Sequence, residues 1–209
     1  IKLSHSENEY FIIGFADKPK LLVDWTRGDK AFEEAVNKLN HVVVEGSATA
    51  LFDTCYLSIE KMRSHSSHLK QAIILVSDGI DSMSQYTFKD VRERLRETGI
   101  LLYSIGTLPG GHGSSISMEG RAIMDEFSSM SGGVAVYPES EKKIEAIFDQ
   151  IAVELRSKYL LGFKPSGDKA DGKWHQLKVK VTPPATAPPA LSNLTTRSRN
   201  SYYAAKNLR

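Results

Sequence analysis

Two short segments carry most of the residues that could do chemistry. One reads Gly46-Ser-Ala-Thr-Ala-Leu-Phe-Asp53 and the other Val76-Ser-Asp-Gly-Ile-Asp81. They offer the Thr49 hydroxyl, the Asp78 carboxylate and, close by, Asp53, Ser77 and Asp81. All are hard oxygen donors, which suit Mg²⁺ better than zinc or copper. Each residue also has a plainer use. Thr49 alone is explained by helix capping more readily than by a metal. Asp78 can close a turn onto its own backbone. Asp53, one helical turn after Thr49, reads either as an outer support of a metal site or as a satisfied surface acid.

The elements around these segments decide whether they can meet. Residues 10–25 hold two apolar runs, Tyr10 to Ala16 and Leu21 to Trp25, split by Asp17-Lys18-Pro19, which predicts a β-hairpin. A helix is expected over Ala31 to Leu39 with Asp29 as its cap, then a short apolar run from His41 to Val44. A second helix runs from about Ala50 to Met62, with Phe52, Cys55, Ile59 and Met62 on its inner face. Gln71 to Val76 is apolar on both sides and predicts a fully buried strand, ending at Ser77-Asp78-Gly79. Gly79 permits a sharp exit that would leave Asp78 at the strand's carboxyl end.

Thr87-x-x-Asp90 opens a helix carrying Phe88, Val91 and Leu95, with Gly99 as its stop. Ile100 to Ile105 is a second buried strand, and Leu108 to Ser117 a Gly/Ser-rich loop. Ile123, Phe127 and Met130 mark a helix that stops at Gly132-Gly133. Val134 to Tyr137 is a short strand, and Glu141 to Lys158 the longest helix. Strands separated by ten-residue helical patterns indicate an α/β fold, a doubly wound, mostly parallel sheet flanked by helices, Rossmann-like in architecture. In such sheets ligands bind at the carboxyl ends of the strands, where Asp78 is expected. After Tyr159 the pattern changes. Tyr159 to Lys164, Trp174 to Thr182 and Ser198 to Ala204 read as strands of a small C-terminal β-appendage, with a Pro-rich spacer over 183–189. The expected division is therefore 1–158 and 159–209.

Composition narrows the classes. Of 209 residues, 27 are Lys or Arg and 25 are Asp or Glu, a formal net charge of +2. Arg197, Arg199, Lys206 and Arg209 put +4 on the last twenty residues, so the remainder sums to −2. A mildly acidic body with a short basic tail is a poor nucleic-acid binder. No apolar run approaches the ~18 to 20 residues of a membrane span. One cysteine, Cys55, excludes an internal disulfide framework and a Cys-rich zinc site. Gly110 to Ser115 lacks the Lys and Ser/Thr of a phosphate loop. No Gly-x-Ser-x-Gly elbow is present to support a hydrolase. His65 and His68 read as solvated loop residues, and Arg27-Gly28-Asp29 as a turn leading into a helix.

The two oxygen-bearing segments, in this order and spacing, resemble the von Willebrand factor A domain, and most closely its bacterial VWFA-related, acidobacterial-type subfamily. The likeness continues through Leu102-Tyr-Ser-Ile-Gly106, Ser131-Gly-Gly-Val-Ala-Val-Tyr-Pro138 and Ile151 to Pro165, and covers about residues 8–182 plus Arg197 to Tyr203. The resemblance implies a metal-ion-dependent adhesion site, holding Mg²⁺ or, alternatively, Mn²⁺ or Ca²⁺. Thr49 would be the second-loop ligand and Asp78 the third-loop acid, with Asp53, Ser77 and Asp81 as outer supports. It implies a protein partner offering a carboxylate, no catalysis, and an exported protein, secreted or in the cell envelope. The alternative is a hydrolytic or nucleotide-binding enzyme on the same architecture. The family's first metal-binding element, Asp-x-Ser-x-Ser, is absent from this sequence. Asn8 to Ile13 resembles the family's second strand, so the expectation is an N-terminally truncated domain whose first strand lies upstream. Such a fragment is expected to fold poorly or to bind no metal competently.

Overall fold

A computed structural model describes residues 8–27, 30, 34, 48–65, 68–107, 115–165, 171–184, 186, 188 and 194–205. The helix expected over Ala31 to Leu39, apart from the helical Glu34, the run from His41 to Val44 and residues 108–114 lie outside the described residues. So do Gly28 and Asp29. The last three residues of the loop expected over Leu108 to Ser117 are helical instead.

The chain opens with the predicted hairpin. β1 (Tyr10–Phe15) runs antiparallel to β2 (Pro19–Thr26), with Ile13 opposite Leu21 and Phe15 opposite Pro19. α1 spans Leu51–Ser64. Its buried positions, Leu51, Thr54, Cys55, Ser58, Ile59 and Met62, follow the i, i+3, i+4, i+7 rhythm of one helix face. Phe52 is only half-buried, and Leu51 takes the place the sequence suggested for it.

The parallel sheet has three described strands in the order β3-β4-β5: Ala72–Ser77, Leu101–Gly106 and Ala135–Val136. Helices make the crossovers. α2 (Phe88–Arg96) joins β3 to β4, and α3 (Ser115–Ser131) precedes β5. α2 starts on a reciprocal cap: Thr87 accepts from Asp90 N while Asp90 accepts from Thr87 N. A turn of 3₁₀ helix, Glu141–Lys143, leads into α4 (Ile144–Ser157).

β4 lies between two apolar layers, because successive strand residues face opposite ways. Leu102 faces a core of Leu51, Ile59, Leu75, Val91, Met124 and Phe127, built by α1, α2 and α3. Tyr103 and Ile105 face a smaller cluster with Ile147 and Ile151 of α4. The chain is thus an α/β protein with a parallel sheet flanked by helices. The Cys55 side chain is 1% exposed in the larger core. Burial pushes its thiol up to about 12.

Three strand expectations need correction. β3 is not buried on both faces: Leu75 and Ser77 point inward, while Ile74 is 39% exposed and Val76 43%. Among the described residues β3 pairs with β4 alone, and of β3 only Ala72 packs against the α4-side cluster. Tyr159 to Lys164 forms no described strand. It follows α4 with no regular structure, and Tyr159 is 90% exposed. Trp174 to Thr182 is strand only over β6 (Lys173–Gln176), which runs antiparallel to β7 (Ser201–Ala204). The ladder is short because β7 is four residues long; two more bonds, Gly172 N to Ala204 O and Leu177 N to Asn200 O, both at 2.8 Å, extend it at its ends.

The C-terminal stretch is tied back to the sheet through Glu154 on α4. Its carboxylate accepts from Tyr103 Oη at 2.7 Å, pairs with Lys158 at 3.2 Å and pairs with Arg197. Lys158 Nζ also donates to Gly132 O at 2.7 Å. Burial, assisted by the bond to Glu154, pushes the Tyr103 hydroxyl far above its usual range. The Arg96 guanidinium lies 4.3 Å from the Trp174 ring centroid and so joins α2 to β6.

Candidate metal centre

Asp78 sits just past the end of β3, where Gly79 turns the chain with φ +82°. That backbone conformation favours glycine. Two small side-chain turns follow one another here. Ser77 Oγ accepts from Gly79 N at 3.0 Å, and Asp78 Oδ1 accepts from Ile80 N at 3.0 Å. The turn reading of Asp78 is therefore correct for one of its oxygens. Asp78 Oδ2 has no hydrogen bond among the described residues, and the side chain is half-buried.

Thr49 sits two residues before α1, and the cap position belongs to Ala50. The capping reading of Thr49 does not hold. It is fixed by its backbone: Thr49 N donates to Ser82 Oγ at 2.8 Å, and Thr49 O accepts from Ser82 N at 2.9 Å and Met83 N at 3.2 Å. The Thr49 hydroxyl has no hydrogen-bond partner among the described residues.

These bonds join the loop before α1 to the loop after β3. Asp78 is four residues upstream of Ser82 in that second loop. The two sequence-selected segments, far apart in the chain, thus belong to one structural unit.

The three remaining candidates are engaged in the fold. Ser77 is buried, and its hydroxyl closes the turn at Gly79. Asp53 Oδ1 accepts from Gln85 N and Tyr86 N, both at 2.8 Å. Asp81 Oδ1 accepts from Phe52 N at 3.1 Å and from Ser84 Oγ at 2.5 Å.

Three residues of the unit, Ser82, Ser84 and Gly120, were not singled out from sequence. Gly120, in the second turn of α3, packs backbone to backbone against the turn: a Cβ on Gly120 would overlap Asp78 O, and a Cβ on Gly79 would overlap Gly120 O. Its signal was present, since an isolated glycine inside a helical pattern often marks close packing.

The donor chemistry fits a hard divalent cation in part. A hydroxyl and a carboxylate oxygen are two ligands of the kind Mg²⁺ takes. Among the described residues, no group of three His, Cys, Asp or Glu is placed to hold a metal ion. Any ion here would therefore need more oxygen donors from water, from a partner or from a further strand.

The histidines are not merely solvated. His65 Nε2 and His68 Nε2 lie 2.9 and 3.1 Å from Glu9 Oε2, and Arg27 Nη2 lies 2.9 Å from Glu9 Oε1. The His65 ring also stacks on Trp25, with centroids 4.2 Å apart. The hydrogen bond from His65, together with those from Arg27 and His68, lowers the Glu9 carboxyl from 4.5 to about 2 against the opposing effect of burial. This cluster ties the start of β1 and the end of β2 to the end of α1.

Residues 3–150 match the family model of the von Willebrand factor type A domain. Comparison with curated proteins gives no match. Among solved structures, a von Willebrand factor type A protein from Catenulispora acidiphila superposes with a TM-score of 0.56 at 13% identity. That match covers 76% of this chain and 36% of the other, so this chain spans about a third of that relative's length. The conserved hypothetical protein BatB from Bacteroides thetaiotaomicron gives 0.50 at 12% identity, covering 75% of this chain and 83% of that one. An aerotolerance-related membrane protein from Bacteroides fragilis gives 0.51 at 13% identity, covering 74% and 82%. At these identities the structural likeness carries the fold alone.

Proposed function

Because this chain belongs to the von Willebrand factor type A domain family, we propose that it is a metal-ion-dependent protein-binding module and not an enzyme. Members of the family are generally protein-interaction domains that bind a divalent ion. In the finer reading, Thr49 and Asp78 help to hold Mg²⁺, or Mn²⁺ or Ca²⁺ in its place. The ion, when bound, supplies an open coordination position that a partner's carboxylate fills. The observation that carries this reading is the joining of the Thr49 loop to the loop of Asp78 through Ser82. Thr49 keeps its hydroxyl for a ligand, and Asp78 keeps Oδ2.

The remaining donors are assigned to an Asp-x-Ser-x-Ser strand that precedes β1. Support comes from the divided sheet. Phe11 and Phe15 of β1 and Ile73 and Leu75 of β3 all pack in one core cluster, yet β1 and β3 share no ladder among the described residues. The exposed Ile74 and Val76 are apolar area that a further strand could help to cover. No observation favours a hydrolytic or nucleotide-binding site, since Ser77 and Asp53 are both spent on backbone amides.

The division at 158/159 makes residues 159–209 a β-extension clamped to the domain, a reading supported by the Glu154–Arg197 pair. Placement in the cell envelope or outside the cell belongs to this proposal and rests on the family resemblance of the sequence. No described helix of this chain is long and apolar enough to cross a membrane.

The test is a Mn²⁺ titration of the full-length protein by calorimetry, comparing wild type with the double variant Thr49→Ala/Asp78→Ala. Saturable binding lost in the variant is expected. Equal binding by the two proteins would show that these residues do not hold the ion.

A further inference from the structure

The strongest unexplained feature is how α1 begins. The first amides of a helix have no partner within it, and Ala50 at the cap position has no side-chain acceptor to offer them. Two of those amides are instead satisfied by residues much later in the chain. Phe52 N donates to Asp81 Oδ1 at 3.1 Å, and Asp53 N donates to Ser84 Oγ at 3.0 Å. The pair is braced internally, with Ser84 Oγ donating to Asp81 Oδ1 at 2.5 Å and Ser84 N to Asp81 Oδ2 at 3.3 Å. A carboxylate at this end of a helix also matches the sign of its dipole.

This arrangement bears on Thr49. A threonine at the cap position ordinarily uses its hydroxyl on the second or third helical amide, and Thr49 stands one residue before that position. Here those amides are Phe52 N and Asp53 N, and both are occupied. The bonds that occupy them also tie the first turn of α1, just past Thr49, to the loop that follows Asp78. Asp53 returns the contact through Gln85 N and Tyr86 N.

We infer that Asp81 and Ser84 are positioning residues: they cap α1 from a distance, hold Thr49 beside the Asp78 loop, and leave the Thr49 hydroxyl open to the cation without ligating it themselves. The inference rests on the metal reading above and refines it, because it moves Asp81 from candidate support of the ion to support of the helix.

The experiment uses the full-length protein and two readouts, Mn²⁺ affinity and hydrogen exchange at the Phe52 and Asp53 amides. Asp81→Ala is expected to weaken Mn²⁺ about tenfold, as loss of a ligand's support does, and to speed exchange at Phe52. Asp81→Asn keeps an oxygen acceptor for Phe52 N, so it is expected to stay near wild type in both. Thr49→Ala is expected to lose Mn²⁺ binding with exchange unchanged. If Asp81→Ala does not fold, Ser84→Ala carries the same test through the Asp53 amide. An Asp81→Asn protein that loses Mn²⁺ while its Phe52 amide stays protected would make Asp81 a ligand and overturn the inference. So would unchanged exchange in both Asp81→Ala and Ser84→Ala. A wild-type protein that binds no Mn²⁺ would sink the metal reading itself, and with it the metal-positioning role, while the amide data would still decide whether the distant cap exists.

Discussion

Gly120, in the second turn of α3, has its backbone directly against the carbonyl of Asp78, with no room for even a methyl group between them. The contact seats α3 under the turn that aims the Asp78 carboxylate. It also reverses the usual effect of a helix substitution.

Gly→Ala inside a helix normally stabilises by up to about 1 kcal/mol. At Gly120 the added methyl meets backbone rather than a flexible side chain, and overpacking of this kind costs roughly 1–3 kcal/mol. Gly120→Ala is therefore expected to lower the melting temperature, and Gly99→Ala, where a Cβ meets nothing within 4 Å, to serve as the contrast. Thermal melts of the two variants check this. A Gly120→Ala protein as stable as wild type would mean that α3 can move away from Asp78 freely.

The Glu9 cluster predicts a loss of stability in acid. The folded carboxyl titrates near 2 and the free one near 4.5. Between these values the unfolded chain binds the proton first, so the stabilisation present above pH 4.5 is lost as pH falls toward 2. Urea midpoints across this range should fall more steeply for wild type than for Glu9→Gln. Parallel curves would show that the cluster contributes nothing to acid sensitivity.

Arg197→Ala tests the clamp on the C-terminal stretch. Arg197 is half-exposed at its pair with Glu154, and pairs of that kind contribute about 1 kcal/mol or less. The global melt should therefore move little, while limited proteolysis within residues 171–205 should accelerate. A cleavage pattern identical to wild type would assign the anchoring to other contacts, such as Arg96 on Trp174.

The divided sheet predicts the behaviour of these 209 residues expressed alone. β1 and β3 share no ladder among the described residues, and Ile74 and Val76 are exposed. On the proposal that a further strand completes the sheet, a broad, weakly cooperative melt without tight Mg²⁺ binding is expected, because a domain's net stability is only ~5–15 kcal/mol. A sharp transition together with tight Mg²⁺ binding would refute this.

Much of the fold was legible because each element carried its own periodicity. The hairpin, α1 to α4 and the three parallel strands lie where apolar spacing and stop signals put them. Thr87 and Asp90 announced their cap by type and spacing alone. What failed were statements about neighbours. A strand reading Ala-Ile-Ile-Leu-Val-Ser can be buried on both faces, but whether it is depends on what covers Ile74 and Val76. Tyr159 to Phe163 has the residue types of a strand and no described partner to pair with. At the site, residue types picked out Thr49 and Asp78. The roles of Asp81, Ser84 and Gly120 depend on contacts between segments distant in sequence, and local pattern holds no record of those. His65 and His68 were misread for the same reason, since their partner Glu9 lies more than fifty residues away.

The lone thiol at Cys55 has a practical use. It is sealed in the layer between α1 and the sheet and held as the unreactive protonated form. A maleimide reagent can reach it only in molecules whose interior has come apart. Timed labelling of this one sulfur therefore counts opening events directly, and any surface cysteine introduced as a probe elsewhere would react against a silent background.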